Sequence, residues 1–490
     1  AEVNANSYGI SSGQVFYYYV NGGNIWPPNS SYGSTLSNGD VLAVALDMDA
    51  GTLTYYVNGV SLGVAFNSGL SGKTIVPSIG TGGGSGSITR CNFGQKPFKF
   101  PPPEGFQPLN TANTRPVKVI SRPDQYVGIT TWSGTGATNS ITGLNFNAKP
   151  DFVWIKKRSG GSARSHQLFD SIRGVHETLH SDDTSAEDTN SNRLTAFNRD
   201  GFTVGSDDGS NGSGGTFVAW CWRAGGSKNT FNVDDVGYAT AAAAGLDGGN
   251  INPTGCSIGT QQGFSILKYA GNQGTGQTLN HGLGEIPDFV ICKNLGTSYN
   301  WFIWHESFGN GADAAIYFTN AAKSTGYNTQ PFGTFTTSSL AFNNNDGVNG
   351  NYNYICLAWK NVPGLQKFGS YVANGGNTGP VINCGFRPRI VWVKRSSSSD
   401  AYTSWSMFDT ERDPYNAQNR VSGALYANKN APENRRGNAS TEEGYESINI
   451  HFLSNGFQLM YSGGEINGPS GTTYIYAAWA EAPSIDLYGG

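Results

Sequence analysis

Five residues of this chain, His176-Glu177-Thr178-Leu179-His180, carry the spacing of a zinc-peptidase string, in which two histidines hold the metal and the glutamate acts as base. That chemistry needs a helix, so that both imidazoles share a face. Here Arg173-Gly174 precede the string and Ser181-Asp182-Asp183 follow it, among strand and loop signals. The match is read as chance, and no metal is assigned. Oxygen ligands come next. Asp207-Asp208-x-x-Asn211-Gly212 has counterparts in Asp346-x-x-Asn349-Gly350 and Glu465-x-Asn467-Gly468. Asp208, Asn211, Asp346 and Asn349 would offer calcium the hard oxygens it prefers. No copy supplies enough acids, and Asn-Gly gives a positive φ at little cost, so a hairpin turn is the preferred reading.

Phe169-Asp170-x-x-Arg173 and Phe408-Asp409-x-x-Arg412 set an acid beside an arginine. A single acid per copy is not the acid–base couple of a glycosidase, so an internal ion pair tying down a loop is expected. Glu442-Glu443 is read as solvated loop. Thr81–Gly86 is Gly/Ser-rich but lacks the Gly-Lys-Ser/Thr ending of a phosphate loop. No catalytic residue and no cofactor is assigned. Trp26, Tyr32 and Trp132 stand among Pro, Asn and Gly in turn-like surroundings, and are the candidates for stacking on a glycan or receptor.

The elements that must carry these residues repeat. Pro150–Lys156 (PDFVWIK) recurs as Pro287–Lys293 (PDFVICK) and Pro388–Lys394 (PRIVWVK). Each copy is followed by a second signature, paired here as Ala219-Trp220, Ala358-Trp359 and Ala478-Trp479. The alternation predicts strands whose aromatic residues pack inward, with the lysine ending each strand towards solvent. Trp154, Trp220, Trp359, Trp392 and Trp479 are assigned to the core on that basis. In the first copy the predicted strands are Tyr126–Trp132, Pro150–Lys156, a stretch around Leu194–Phe197, Gly201–Val204 and Thr216–Trp222.

The chain has 490 residues, room for three or four domains of roughly 100–150 residues. Glycine is abundant (68 residues), aromatics reach 12% and charged residues only 13%, and these runs of β-formers between Gly-rich turns predict an all-β protein. A net charge of −4 without basic clusters argues against nucleic acid, and no apolar run is long enough to insert in a membrane. The six cysteines are scattered with no C-x-x-C pair and are read as small buried hydrophobes. The chain starts at Ala1 with no signal segment, which is read as a processed or incomplete product.

Four segments follow. Residues 1–112 include Asp40–Leu46 and Thr52–Val57 joined by the turn Asp47–Gly51, with a tight turn at Asn58-Gly59. Phe98–Pro116 is a proline-rich linker. The repeats occupy 113–225, 226–363 (opening with a connector, Gly225–Gly255, that shows little periodicity) and 364–490. The third contains a polar insertion, Asn416–Tyr445, expected to form a surface loop and a place for specific recognition.

The text Gly39–Phe66 (GDVLAVALDMDAGTLTYYVNGVSLGVAF), with Val76-Pro77 and Asn92-Phe93-Gly94, resembles a SPRY domain, a concanavalin-like sandwich; the opening strands expected before Tyr8 are missing. The repeats, through PDFVWIKKR, LFDSIRG, RLTAFNRDGFTVGSD and FVAWCWRAGG in the first copy, GFSILKYAGNQGTGQTLNHGLGEIPDFVICK in the second and RIVWVKR, MFDTERD and GFQLMY in the third, resemble a domain of bacteriophage structural and tail-fibre-like proteins. The second copy lacks the Phe-Asp-x-x-Arg element and has Ile303-Trp304-His305 near that place.

The resemblance implies tandem β-sandwiches of concanavalin or jelly-roll type, one SPRY-like unit plus three related repeats. It further implies a virion component and, for a tail fibre, a homotrimer. Repeated Gly/Asn/Ser-rich loops carrying aromatics suit polysaccharide, so the preferred reading is a non-enzymatic virion appendage whose partners are other virion proteins and a host surface polysaccharide or receptor. A capsid decoration or head fibre is the alternative, and a polysaccharide depolymerase a third.

Overall fold

The computed structural model describes residues 119–400, 402–412, 420–433 and 448–482, and earlier in the chain 18–20, 24–26, 30–33, 36–68, 70, 77 and 90–109. The chain is nearly all β, with 40% strand and 3% helix, and divides into two compact units, Ala1–Val117 and Lys118–Gly490.

In the first unit Leu42–Asp47, Thr52–Val57 and Val60–Phe66 form an antiparallel sheet. Asn58 and Gly59 take φ of 50° and 82°, the left-handed pair that a two-residue hairpin requires. The Asp47 carboxylate accepts from the amides of Asp49 and Ala50, which fixes the preceding turn. Leu36, Leu42, Leu53, Tyr55, Phe66 and Leu70 form the core of this unit. Thr81–Gly86, Val76 and the segment before Tyr18 lie outside the described residues.

The three repeats lie in one unit and share one strand plan. In the first, the sheet runs Val127–Ser133, Thr216–Trp222, Phe152–Ser159, Gln167–Asp170. The second runs Phe264–Ala270, Asn353–Trp359, Phe289–Asn294, Phe302–His305. The third runs Gln366–Val372, Thr473–Ala480, Pro388–Arg395, Ser406–Asp409. Each sheet is apolar on both faces. Alternate residues such as Val153, Ile155 and Phe217 face the repeat's own second sheet, and Val290 with Val391 do the same in the other copies. The opposite faces, carrying Phe152, Trp154, Phe289, Ile291, Ile390 and Trp392, meet in a single core common to all three repeats. The repeats are therefore not beads on a string.

The centre of that core corrects the pairing of the second signature. Phe152 lies opposite Trp222, Phe289 opposite Trp359 and Ile390 opposite Trp479. The counterpart of Trp359 and Trp479 is thus Trp222, two residues beyond Trp220. A shift of two keeps every side chain on its face, so alternation alone cannot reveal it. The three indoles meet one another edge to face, at 5.4 Å (Trp222–Trp479), 6.3 Å (Trp359–Trp479) and 6.4 Å (Trp222–Trp359), the geometry that aromatic quadrupoles favour.

The lysines of the repeated strand do not reach solvent. Lys156, Lys293 and Lys394 are fully buried, and each Nζ donates to a carbonyl of another repeat. Lys156 reaches Asn430 O at 2.8 Å, Lys293 reaches Thr184 O at 3.0 Å and Lys394 reaches Asn320 O at 3.2 Å. The first repeat thus reaches the third, the second the first, and the third the second. The same three seams carry a second set of bonds: His166 Nε2 with Tyr426 O (2.9 Å), Trp301 Nε1 to His180 O (2.8 Å) and Trp405 Nε1 to Tyr317 O (2.7 Å). Backbone amides add a third set, Glu433 to Arg158 O, Glu187 to Leu295 O and Lys323 to Ser396 O. Three tandem copies close on themselves in a ring.

Two expected loops are more ordered than their composition suggests. The connector contains Phe231–Val233, which pairs in parallel with Pro253–Gly259, and Val236–Tyr238, so it extends the second repeat's sheet. Within Asn416–Tyr445, Arg420–Ser422 and Leu425–Tyr426 are strands; residues 413–419 and 434–447 lie outside the described residues.

Two outcomes test the ring. Trp359→Ala should cost about 3–5 kcal/mol and remove hydrogen-exchange protection at Val153–Ile155 and Val391–Val393 as well as in its own repeat. Loss confined to the second repeat would show that the copies unfold separately. The second outcome is a pH dependence. Burial pulls Lys156 and Lys293 down to about 8 and Lys394 to about 7. The folded state then holds fewer protons than the unfolded one above these values, so stability rises with pH from about 7.5 to 9.5. Melting temperatures across that range should climb, and Lys394→Met should flatten part of the climb.

Candidate functional site

The Asp-x-x-Arg pairs are anchors. Arg173 and Arg412 are buried, and each Nε donates to the carboxylate three residues before it, Arg412 at 2.5 Å. The remaining guanidinium donors reach Leu168 O and Glu187 in one copy, Met407 O, Gly423 O and Glu433 in the other. Asp409 also accepts from Trp220 Nε1 at 2.9 Å, across the seam between third and first repeats. In the second repeat His305 takes the aspartate's register position opposite Phe289, and burial pulls it down to about 4, so it stays neutral.

The zinc-like string lies on the strand Gly174–Leu179, not on a helix. His180 Nδ1 meets His166 O at 2.6 Å. Among the described residues no group of three or more His, Cys, Asp and Glu is placed to hold a metal.

The calcium candidates have other partners. Asp208 is bonded to Lys157 (2.9 Å) and Arg164 (2.6 Å), which hold its carboxyl below the usual carboxylate range. Asn211 is buried, and its Oδ1 accepts from Thr135 N at 3.1 Å while its Nδ2 donates to Ala137 O at 2.5 Å. Asn349 does the same with Asn272 N (2.8 Å) and Gly274 O (2.8 Å), and Asn467 with Asn374 N (3.1 Å) and Gly376 O (2.7 Å). All three are amide clamps between the loop before the last strand and the loop after the first. Asp346 contributes its backbone carbonyl, which accepts from Asn294 and Tyr354.

The stacking candidates fall in both units. Trp26 ends the strand Asn24–Trp26, and its side chain lies outside the described residues. Tyr32 packs edge-on against Tyr55 and donates its hydroxyl to Gly63 O. Trp132 stacks on Phe217 at 5.5 Å and meets Phe202 edge-on. Trp26 and Tyr32 belong to the first unit and Trp132 to the second.

An open groove of about 440 Å³ lies in the third repeat, and the sequence reading missed it. Its wall is built on the residue after the buried lysine. In the first repeat that residue is Lys157, which closes on Asp208; in the second it is Asn294, which closes on Asp346 O. In the third it is Arg395, whose side chain is buried. Its Nη1 donates to Gly468 O at 2.9 Å and its Nε to Ser398 O at 3.3 Å, while Nη2 bonds Asp400. Asp400 is thereby held at the groove's edge with its side chain 43% exposed, and its Oδ1 accepts from Tyr402 N at 2.7 Å.

Tyr402, exposed, stands beside it, and Asn374, Ser462 and Ser470 complete a polar lining. Gly464 keeps the groove open, because a Cβ there would lie 3.3 Å from Arg395 Nη1 and 3.5 Å from both Asp400 Oδ2 and Tyr402 Cβ. Beneath it Glu465 is buried, and burial with help from Asp400 raises its carboxyl to about 7. Glu465 is not among the groove's lining residues. The exposed surface is one carboxylate, hydroxyls, amides and an aromatic ring, which suits hydrogen bonding and stacking.

Removing Asn467 by Asn467→Ala should cost about 1 kcal/mol by taking the partner from two part-buried backbone groups, Asn374 N and Gly376 O. A chelator should leave the melting temperature of the unaltered chain where it was, since a bound calcium would have added to stability by mass action.

Residues 4–96 match the SPRY domain. In that region the chain is 38% identical over 92 residues to the E3 ubiquitin-protein ligase RKP of Arabidopsis thaliana, a match covering 17% of this chain and 7% of the plant protein. No solved structure matches. Residues 122–483, from the start of the first repeat through the last strand of the third, match the family described as a domain of unknown function, DUF7483, and the chain belongs to that family.

Proposed function

We propose that this chain is a non-catalytic attachment protein of a bacteriophage particle, a tail-fibre-like appendage that holds a host surface glycan in the groove of its third repeat. The observation that carries the reading is the groove itself: Tyr402, Asp400, Asn374, Ser462 and Ser470 around an open cleft, fixed by a buried arginine. A pyranose ring offers an apolar face to an aromatic side chain and vicinal hydroxyls to a carboxylate. Arg395 bonds Asp400 and orients it for that task. The groove is open and polar, so affinity per site is low, and several copies on one particle would raise it through effective concentration.

Acid–base cleavage of a glycosidic bond requires two carboxyl groups at the bond, whereas only Asp400 faces the groove among the described residues. The phage assignment rests on the likeness of the repeat text to phage structural proteins; the SPRY unit is compatible with it, as a fold that presents loops.

Binding of the purified chain to a glycan array or to host-surface polysaccharide should be lost in Tyr402→Ala and Gly464→Val, and kept in Tyr32→Ala. Binding that persists in both groove variants would move the site elsewhere. No glycan binding, together with firm attachment to capsids, would favour the decoration role. Release of reducing ends would overturn the non-catalytic reading.

A further inference from the structure

The middle repeat differs from its neighbours at the centre of its main sheet. Cys292 and Cys356 lie directly opposite one another on the antiparallel strands Phe289–Asn294 and Asn353–Trp359. Their sulfurs are 3.0 Å apart and both residues are fully buried. The corresponding pairs are Ile155 opposite Ala219 in the first repeat and Val393 opposite Tyr476 in the third, so two sulfurs meet only here. Directly opposed residues on antiparallel strands have Cα atoms about 4.5 or 5.5 Å apart, and both values fall within the roughly 4.4–6.8 Å span of disulfides. Cys221, Cys256 and Cys384 are also buried and free, and Cys91 is exposed; none of these is joined to another sulfur by a contact of this kind.

We propose that Cys292 and Cys356 are a disulfide-forming pair, oxidised as the chain folds in the presence of a low-molecular-weight disulfide. The Cys292 thiolate attacks one sulfur of the small disulfide and expels its first thiol. The Cys356 thiolate then attacks Cys292 Sγ and expels the second, so two protein thiols are oxidised and one small disulfide is reduced to two thiols. The exchange belongs to folding, before the sheet closes. Burial and the neighbouring Cys292 push the Cys356 thiol well above its ordinary range, so in the reduced folded chain it is a poor nucleophile, and the burial of both residues keeps attacking thiolates from the sulfurs. A bond made during folding is therefore kept. It bridges residues 64 apart in sequence and joins the two central strands of the repeat.

The test is refolding of the full chain from a denatured, reduced state in a buffer of oxidised and reduced glutathione, followed by alkylation in denaturant and mass measurement. Four alkylated cysteines of the six are expected, with a cross-linked peptide containing both Cys292 and Cys356, and all six after reduction. Cys356→Ala should give five alkylated cysteines and no cross-linked peptide. Six alkylated cysteines in the refolded wild-type chain, or a cross-link between any other pair, would overturn the proposal.

Discussion

The larger unit depends on the meeting of Trp222, Trp359 and Trp479. Each repeat builds a main sheet that is apolar on both faces, and its own second sheet covers only one of them. Left alone, the other face would expose Phe152 and Trp154, or Phe289 and Ile291, or Ile390 and Trp392 to water. An indole that buries about 150–250 Å² gains roughly 4–6 kcal/mol from leaving water, so no arrangement that leaves three such faces wet can compete. Three sheets around a common centre remove them together. Trp222 and Trp359 bury their indole N–H groups without a hydrogen-bond partner among the described residues.

An apolar centre alone would not fix which copy follows which. The lysines do. Burying an ammonium is costly, and each pays part of that cost back only when carbonyls from its own and the neighbouring repeat converge on it. Lys156, Lys293 and Lys394 therefore act as directional keys, satisfied in one rotational sense of the ring and stranded in the other. The indole or imidazole one strand away crosses each seam in the same sense, and a backbone amide of the neighbouring repeat donates back across it, so each seam is specified three times over.

Much of the fold was readable in the chain, and its gaps have physical causes. Alternation found the strands Gly201–Val204 and Thr216–Trp222 at their observed limits and assigned the tryptophans to the core. The short-range Asp-x-x-Arg anchor was also legible, because both partners lie within one turn. The amide clamp was not: Asn211 meets Thr135 across 76 residues, and locally it can be read only as a turn residue. The lysines misled because a charge at a strand's end is ordinarily solvated, and the carbonyls that receive these three belong to other repeats. The groove is assembled from loops around Asn374, Asp400, Ser462 and Pro469, which share no motif. Trp132 and Tyr32 are half-buried against Phe217 and Tyr55, contacts that their flanking Gly and Asn do not reveal.

Placing all three copies on one polypeptide frees them from symmetry. In an assembly of identical subunits, a substitution that opens a groove appears at every equivalent position and weakens every seam it touches. Here Arg395 still bonds Gly468 O in the loop before the last strand, as Asn294 bonds Asp346 O, but it also holds Asp400 at the edge of the groove. A side chain can therefore differ at one of three equivalent positions while the other two keep their own contacts.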